Sequence, residues 1–205
     1  MDVIHAIETR TSIREFTDEK VREEDLRAII RLAGFAPSID NFQPWKYYAI
    51  QNKDLLHKIA VQVINKIAEI PENNTRLAKQ IKNQVAWYSS FFKEAPVLIA
   101  LAGEPYENFL EKGVKISSDE INKLRNYPDF QSAGASIQNL LLAAHSFNYG
   151  ACWMSGPLFA KEEIEKIIGI KSPWSLITFV ALGRPKTIIK PKTKRNLGEE
   201  IVIIR

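Results

Sequence analysis

The stretch "SAGASIQNLLLAAHSFNYGACWM", residues 132–154, decides the fold because it joins a long apolar segment to a short one. It begins with small residues and continues in a Leu- and Ala-rich run as far as Asn148. This pattern predicts a largely buried helix that lets another backbone approach closely. We expect Gly150 to cap this helix, since glycine adopts the left-handed conformation without steric cost. "ACWM", residues 151–154, then predicts a short strand.

Apolar spacing outside this stretch predicts further helices and strands. Helical periodicity marks the ranges 3–7, 26–33, 55–67, 77–88 and 161–169. Strands are predicted at "WKYYAIQN" (45–52), "VLIALAG" (97–103) and "LITFVALG" (176–183). The tail "EEIVIIR" (199–205) also predicts a strand, which pairs with a distant segment or with another chain. Few strands, many long helices and no regular βαβ alternation indicate an α+β fold, and 205 residues suit a single domain, 1–205.

Composition excludes several classes of protein. One cysteine, Cys152, rules out a disulfide scaffold and any Cys-rich metal site. The N-terminus lacks the basic start and apolar core of a signal peptide, and no apolar run has the length of a membrane span. We therefore expect a soluble, cytoplasmic protein with no membrane partner.

The common chemical motifs are missing from the sequence. There is no G-x-G-x-x-G, no G-x-x-x-x-G-K-[ST] and no G-x-S-x-G. The three histidines fall in separate predicted helices without metal-binding spacing, so we expect no metal. Cys152 lies in a predicted buried strand, where an inert structural thiol is the favoured interpretation over a nucleophile.

The segment "RTSIREF", residues 10–16, places Arg10, Ser12 and Arg14 at alternate positions. In a helix the two arginines would share a face and Ser12 would point away, whereas an extended chain lines up all three. The β-branched and hydroxyl residues in this segment disfavour a sustained helix. An extended path with three converging donors is therefore predicted.

Three other segments carry polar groups. "APSIDNFQPWKYY" (36–48) contains Ser38, Asn41 and Gln43 in a loop, where local turn chemistry and hydrogen bonding to a polar heterocycle are both open. In "CWMSGPLF" (152–159) any backbone donor of the turn comes from Ser155 or Gly156, because proline lacks an N–H. The run 183–195 holds six basic residues and no acid, which suits a nucleic-acid arm, a solvated tail or the wall of an anion site.

Taken together, these segments resemble the nitroreductase family of FMN-dependent flavoproteins. The resemblance rests on "RTSIREF", "APSIDNFQPWKYYAI", "ASIQNLLLAAHSFNYGACWMSGP", and "LGRP" followed by "KTKR", in this order along the chain. It implies an α+β fold with a central, mostly antiparallel sheet flanked by helices. It also implies a homodimer in which the C-terminal strand is exchanged to the partner.

The resemblance also implies roles for individual residues. Arg10, Ser12 and Arg14 would bind the FMN phosphate and the pyrimidine side of the flavin, and the turn at Ser155 and Gly156 would direct a backbone N–H at flavin N5. The C-terminal members of the phosphate clamp would be Lys192, Lys194 and Arg195, with the choice between the two lysines open. The loop that would cover the flavin from the neighbouring subunit matches Pro37, Ser38, Asn41 and Gln43.

The implied reaction is ping-pong: NADH or NADPH gives a hydride to flavin N5, and a nitroaromatic, quinone or similar small acceptor is then reduced. No protein side chain is expected to act as a catalytic group. Alternatives are a flavin-storage protein, another reaction of the same family such as dehalogenation or flavin fragmentation, and a nucleic-acid-binding protein that uses the basic run. The last is disfavoured, because no aromatic residues are interleaved with that run, and we expect no nucleic-acid partner.

Overall fold

The computed structural model describes residues 1–106, 113, 115–187, 190–191, 193 and 200–204. These residues form seven α-helices and four strands. The helices are α1 (Val3–Thr9), α2 (Glu23–Ala33), α3 (Lys53–Glu69), α4 (Arg76–Ser90), α5 (Ser118–Leu124), α6 (Pro128–Ser146) and α7 (Lys161–Ile168). The strands are β1 (Trp45–Ile50), β2 (Val97–Gly103), β3 (Gly150–Met154) and β4 (Ser175–Gly183). The predicted α+β fold is confirmed.

The four strands form one antiparallel sheet in the order β1-β2-β4-β3. Every residue of the central strand β2 is buried, because helices cover both faces of the sheet. Alternate residues of β2 and β4 contribute to two cores. Ala100 and Phe179 pack towards α3, whereas Ile99 and Val180 pack towards α2 and α6.

The helices begin where polar side chains satisfy free backbone N–H groups. Asp2, Asn52 and Thr75 each accept a hydrogen bond from a backbone N–H in the first turn, over 2.9, 3.0 and 3.1 Å. Helix α5, which apolar spacing did not predict, begins with a capping box in which Ser117 and Glu120 satisfy each other's backbone N–H groups.

The predicted cap at Gly150 is wrong. Helix α6 ends at Ser146, and Asn148 takes the left-handed conformation, with φ of 61°. Gly150 is instead the first residue of β3, where its backbone is extended. Gly169 does close α7 in the left-handed conformation, with φ of 76°, as its position after "KEEIEKII" predicts.

The described residues of the C-terminal tail, 200–204, form no strand within the single chain. Residues 201–204 have no regular secondary structure and are exposed. Exchange of this segment with a partner subunit therefore stays a prediction.

Candidate functional site

The segment after α1 follows an extended path along the edge strand β3. The backbone leaves the helix at Arg10, and Ser12 pairs with Ala151 in parallel orientation. The Ile13 N–H donates to the Ala151 carbonyl over 3.1 Å, and Phe16 pairs with Pro185 after β4. The prediction of an extended rather than helical path is confirmed.

Burial of Ile13 holds this segment in place. Ile13 and Phe16 are 5% and 8% exposed and belong to the core on the α3 side of the sheet. A Cβ atom at Gly150 would lie 2.7 Å from Cγ1 of Ile13, closer than packed atoms approach. Glycine at position 150 therefore lets the segment lie directly on β3, a contact between residues 137 positions apart.

Arg10, Ser12 and Arg14 are brought together around the thiol of Cys152. All three are half-buried, and Cys152 is 3% exposed. Burial raises the pKa of the Cys152 thiol, while the positive charge of Arg14, an interaction with Ser12 and the charge of Arg10 act in the opposite direction. The thiol is protonated at neutral pH, which agrees with the structural role predicted for it.

The two arginines of this group lack anionic partners among the described residues, whereas three other arginines have them. Arg22, Arg27 and Arg184 each form an ion pair with a carboxylate at 2.6–3.2 Å. Among the residues that the structure describes, no carboxylate pairs with Arg10 or Arg14, and the guanidinium of Arg14 lies 5.6 Å from the centre of the Tyr88 ring. Two half-buried cations without counterions are suited to an anionic ligand.

A cavity of about 550 Å³ lies next to Arg10, between α1, α6 and the start of the basic run. Lys190 and His145 also line this cavity, and Nε2 of His145 is 2.8 Å from Oγ1 of Thr9. Burial, followed by the charges of Arg10 and His5, lowers the pKa of His145, so this ring is neutral at pH 7. The fixed positive charge of the cavity therefore comes from arginine and lysine.

The basic run reaches this cavity only in part. Lys192, Lys194 and Arg195 lie outside the described residues, so their assignment to a phosphate clamp is untested. Arg184 is not free to bind a ligand, because it pairs with Glu19 and donates to the carbonyls of Phe147 and Asn148 over 3.2 and 2.9 Å. Arg184 therefore ties the start of the basic run to Glu19 and to the residues after α6.

The turn at Ser155 and Gly156 lies on the same side of the sheet as Arg14. Adjacent residues at the end of α4 contact both: Tyr88 lies under Arg14, and a Cβ at Gly156 would be 2.4 Å from Oγ of Ser89 and 3.1 Å from its Cα. Gly156 is thus required for packing on α4. Ser155 is exposed at the end of β3.

The loop at residues 37–43 is held by hydrogen bonds within itself. Oγ of Ser38 accepts from the Gln43 N–H over 2.9 Å, and the Gln43 amide donates to the Asn41 carbonyl over 3.3 Å. Asp40, Asn41 and Gln43 all have left-handed φ values, of 45°, 54° and 56°. Local turn chemistry therefore shapes the loop. The side chains of Pro37, Asn41 and Gln43 are exposed and stay available to a partner.

Within one chain, this loop and the Arg10 segment lie at opposite ends of α6. The Ile39 N–H donates to Oγ of Ser132 in the first turns of α6, whereas Thr9 contacts His145 in its last turn. Thirteen residues of helix separate the two contacts, which is about 20 Å. A single chain therefore keeps the two predicted groups of binding residues apart.

Sequence reasoning missed three residues of this site. Tyr88 follows the apolar spacing of α4, Lys190 is one cation among six, and Cys152 resembles any buried thiol. Tyr88 and Cys152 interact with Arg14, and Lys190 lines the same cavity as Arg10, only through long-range packing, so no local pattern identifies these residues.

No helix in the described ranges is long and apolar enough to cross a membrane. The same ranges contain no group of three or more His, Cys, Asp or Glu side chains that could hold a metal ion.

Comparison with known proteins agrees with this geometry. The sequence model of the "Nitroreductase family" matches residues 7–184. A relative from Methanothermobacter thermautotrophicus named "Putative NADH dehydrogenase/NAD(P)H nitroreductase" is 30% identical over 190 residues, which cover 90% of this chain and 78% of the relative.

Two solved structures share the whole fold. A BluB-like flavoprotein from Clostridium difficile 630 has a TM-score of 0.88 and 29% sequence identity, with 100% of both chains covered. A nitroreductase with bound FMN from Desulfitobacterium hafniense DCB-2 has a TM-score of 0.76 and 22% identity, again with 100% of both chains covered. At this lower identity the likeness shows the fold.

Proposed function

Because the chain belongs to the nitroreductase family, we propose that it is an FMN-dependent oxidoreductase that passes electrons from NAD(P)H to a nitroaromatic, a quinone or a similar small acceptor. Bound FMN would supply the chemistry, since N5 of the flavin accepts a hydride and returns it in a second, separate step. The FMN held by the Desulfitobacterium hafniense nitroreductase and the name of the Methanothermobacter relative support this proposal.

One observation carries the proposal: Arg10 and Arg14 are half-buried guanidiniums without a carboxylate partner among the described residues, and Ser12 lies between them. The FMN phosphate bears nearly two negative charges, and guanidinium groups bind phosphate oxygens through paired, charge-assisted hydrogen bonds. Arg10, next to the cavity that Lys190 also lines, suits the phosphate. Arg14 and Ser12, further along the segment, suit the pyrimidine side of the flavin.

The remaining predicted residues complete the site in this proposal. A backbone N–H from Ser155 or Gly156 donates to N5, and Lys192, Lys194 or Arg195 completes the phosphate clamp. The loop with Pro37, Ser38, Asn41 and Gln43 comes from the neighbouring subunit of a homodimer, which the separation of about 20 Å along α6 supports. In the dimer, the C-terminal strand is exchanged.

The proposed chemistry requires no protein nucleophile. The one thiol is buried and protonated, and no metal cluster exists among the described residues. The polypeptide binds and orients the cofactor and shields it from water, while cations near its pyrimidine ring stabilise the negative charge of the reduced form.

The test begins with the flavin content of the purified protein. We expect yellow protein with close to one FMN per subunit, and colourless protein that fails to bind added FMN would refute the proposal. Anaerobic mixing with NADH or NADPH in a stopped-flow instrument should then bleach the flavin, and a nitroaromatic or quinone should restore its absorbance. A protein that binds FMN but is reduced by neither nucleotide would instead be a flavin-storage protein.

A further inference from the structure

A second groove begins at the Ser155 turn and runs along the start of α6. A cavity of about 470 Å³ is lined by Trp153, Ser155 and Phe130, and a smaller cavity of about 150 Å³ by Glu104, Asp129 and Lys161. Phe130 and Ile177 line both cavities, so the two cavities adjoin each other. We call the combined space the Trp153 groove.

The end of this groove next to Ser155 is aromatic and rigid. Trp153 and Phe130 are 46% and 55% exposed, so both present accessible aromatic surface to the groove. The indole Nε1–H of Trp153 donates to Oγ1 of Thr178 over 2.7 Å, and this hydroxyl donates to the Met154 carbonyl over 2.9 Å. Because these bonds fix the indole before a ligand arrives, an aromatic ring stacks on it with little loss of conformational entropy.

The other end of the groove contains a carboxylate that lacks a hydrogen-bond donor. Oδ1 of Asp129 is buried, and no donor reaches it from the described part of the chain. Glu104 and Lys161 also line this end. Among the described residues, Lys161 forms no ion pair with Glu104 or with Asp129. Two carboxylates and one ammonium leave a net negative charge here, and a buried, unpaired carboxylate oxygen is costly until a donor reaches it.

We propose that the Trp153 groove binds the electron acceptor, and that this acceptor is a flat aromatic compound with an ammonium or another hydrogen-bond-donating substituent. The inference rests on the proposed function, because the aromatic end of the groove adjoins the turn assigned to flavin N5. The ring stacks on Trp153 beside Ser155, and the substituent donates to Asp129. An anionic substituent meets two carboxylates and is disfavoured.

Equilibrium binding tests this inference without any redox step. Isothermal titration of the flavin-loaded protein with benzylammonium, benzyl alcohol and benzoate compares three ligands with the same ring and different charges. Benzylammonium should bind at least about tenfold more tightly than benzoate, since a hydrogen bond to a charged group is worth about 1.5–3 kcal/mol. Equal affinities for the three compounds would overturn the proposal.

A matched pair of variants assigns the preference to one residue. Asp129 and Asp119 both occupy the second position of a helix, but Asp119 is exposed and lines neither cavity. Asp129→Asn should reduce the preference for benzylammonium over benzoate to about twofold or less, and Asp119→Asn should leave it intact. Trp153→Leu should weaken binding of all three compounds, with unchanged FMN content. If the Asp129→Asn variant still binds benzylammonium much more tightly than benzoate, a group other than Asp129 causes the preference.

The same discrimination should appear in electron transfer. Flavin reduced with dithionite, so that NAD(P)H is not needed, should be reoxidised faster by 4-nitrobenzylammonium than by 4-nitrobenzoate at equal concentrations. If NAD(P)H fails to reduce the flavin but this preference holds, the proposed function is wrong and the groove assignment stands. If NAD(P)H reduces the flavin and the two compounds react equally, only the groove assignment is wrong.

Discussion

The Tyr149 hydroxyl donates a 2.7 Å hydrogen bond to the buried carboxylate of Asp25, which ties the residue before β3 to helix α2. Arg22 holds the same carboxylate through two further bonds of 2.8 and 2.9 Å. On the other side, the guanidinium of Arg184 lies 4.1 Å from the centre of the Tyr149 ring. Tyr149 also lines the cavity next to Arg10, so this network fixes one wall of the candidate FMN site.

Stability at acid pH should depend on Asp25. Hydrogen bonds from Arg22 and then Tyr149 lower the pKa of Asp25, and they outweigh the opposing effect of burial. An unfolded aspartate has a pKa of about 3.9, so the contribution to stability is complete above about pH 5 and is lost as the pH falls through the lower, folded-state value. The Tm difference between wild type and Asp25→Asn should be several degrees at pH 7 and should shrink below about pH 4.

A control for this titration is Glu24→Gln. Glu24 pairs with the same Arg22 at 2.8 Å, but both side chains are largely exposed, and such pairs contribute little. Its Tm should stay close to that of wild type at every pH. If the Tm difference between wild type and Asp25→Asn is the same at pH 3 and at pH 7, the loss of packing rather than the loss of charge causes it.

Substitution of Gly150 by alanine should displace the Arg10 segment. The new Cβ would lie 2.7–2.8 Å from three carbon atoms of the Ile13 side chain, and overpacking of this kind costs about 1–3 kcal/mol. We expect a lower Tm together with weaker FMN binding. Gly134→Ala is the control, since its Cβ would meet only the Trp153 ring, at 3.7 Å, and alanine in a helix is about 0.5–1 kcal/mol more stable than glycine. A Gly150→Ala protein with wild-type Tm and FMN affinity would contradict the role given to this glycine.

Local patterns in the sequence predict most of the elements but not the contacts between them. Apolar period and β-branched residues are sufficient to predict six of the seven described helices, the four described strands and the extended path of residues 10–16. The role of Gly150 is not predictable locally, because its neighbour Ile13 is 137 positions away. The sequence also does not show whether Asn148 or Gly150 takes the left-handed conformation at the end of α6, and in the structure it is Asn148. Helix α5 depends on capping more than on apolar period, which is why periodicity missed it.

Loss of either arginine of the segment should weaken FMN binding. Charge-assisted hydrogen bonds are worth about 1.5–3 kcal/mol, so Arg10→Ala and Arg14→Ala should each raise the Kd for FMN roughly 10- to 100-fold, measured by quenching of flavin fluorescence. Arg27→Ala is a suitable control, because Arg27 is exposed and pairs only with Glu23 among the described residues. Lys53 is a less suitable control, because it is the first residue of α3 and its Nζ donates to the carbonyls of Glu94 and Ala95. Equal affinity in all three variants would mean that the phosphate lies elsewhere.

The thiol of Cys152 should be unreactive in the folded protein. It is 3% exposed and its pKa is raised by burial, so both access and thiolate formation are suppressed. A chromogenic disulfide reagent at pH 7 should label close to one thiol per chain in denaturant and almost none without it. Cys152→Ala should retain NAD(P)H-dependent flavin reduction, and loss of that reaction with normal FMN content would indicate that the thiol takes part.

The predicted dimer should be detectable by complementation between two variants, at an FMN concentration too low for either variant alone to bind the cofactor. The segment that carries Arg14 begins after Thr9, which contacts the end of α6 opposite to the Asn41 loop. We therefore expect each site of a homodimer to combine Arg14 of one subunit with Asn41 of the other. When Arg14→Ala and Asn41→Ala chains are unfolded together and refolded at equal concentrations, half of the dimers should be mixed. Each mixed dimer has one intact site and one doubly altered site, so about a quarter of the wild-type FMN binding and activity should return. If both residues served the same site within one chain, no intact site could form, and the refolded mixture would be no more active than the average of the two variants refolded separately.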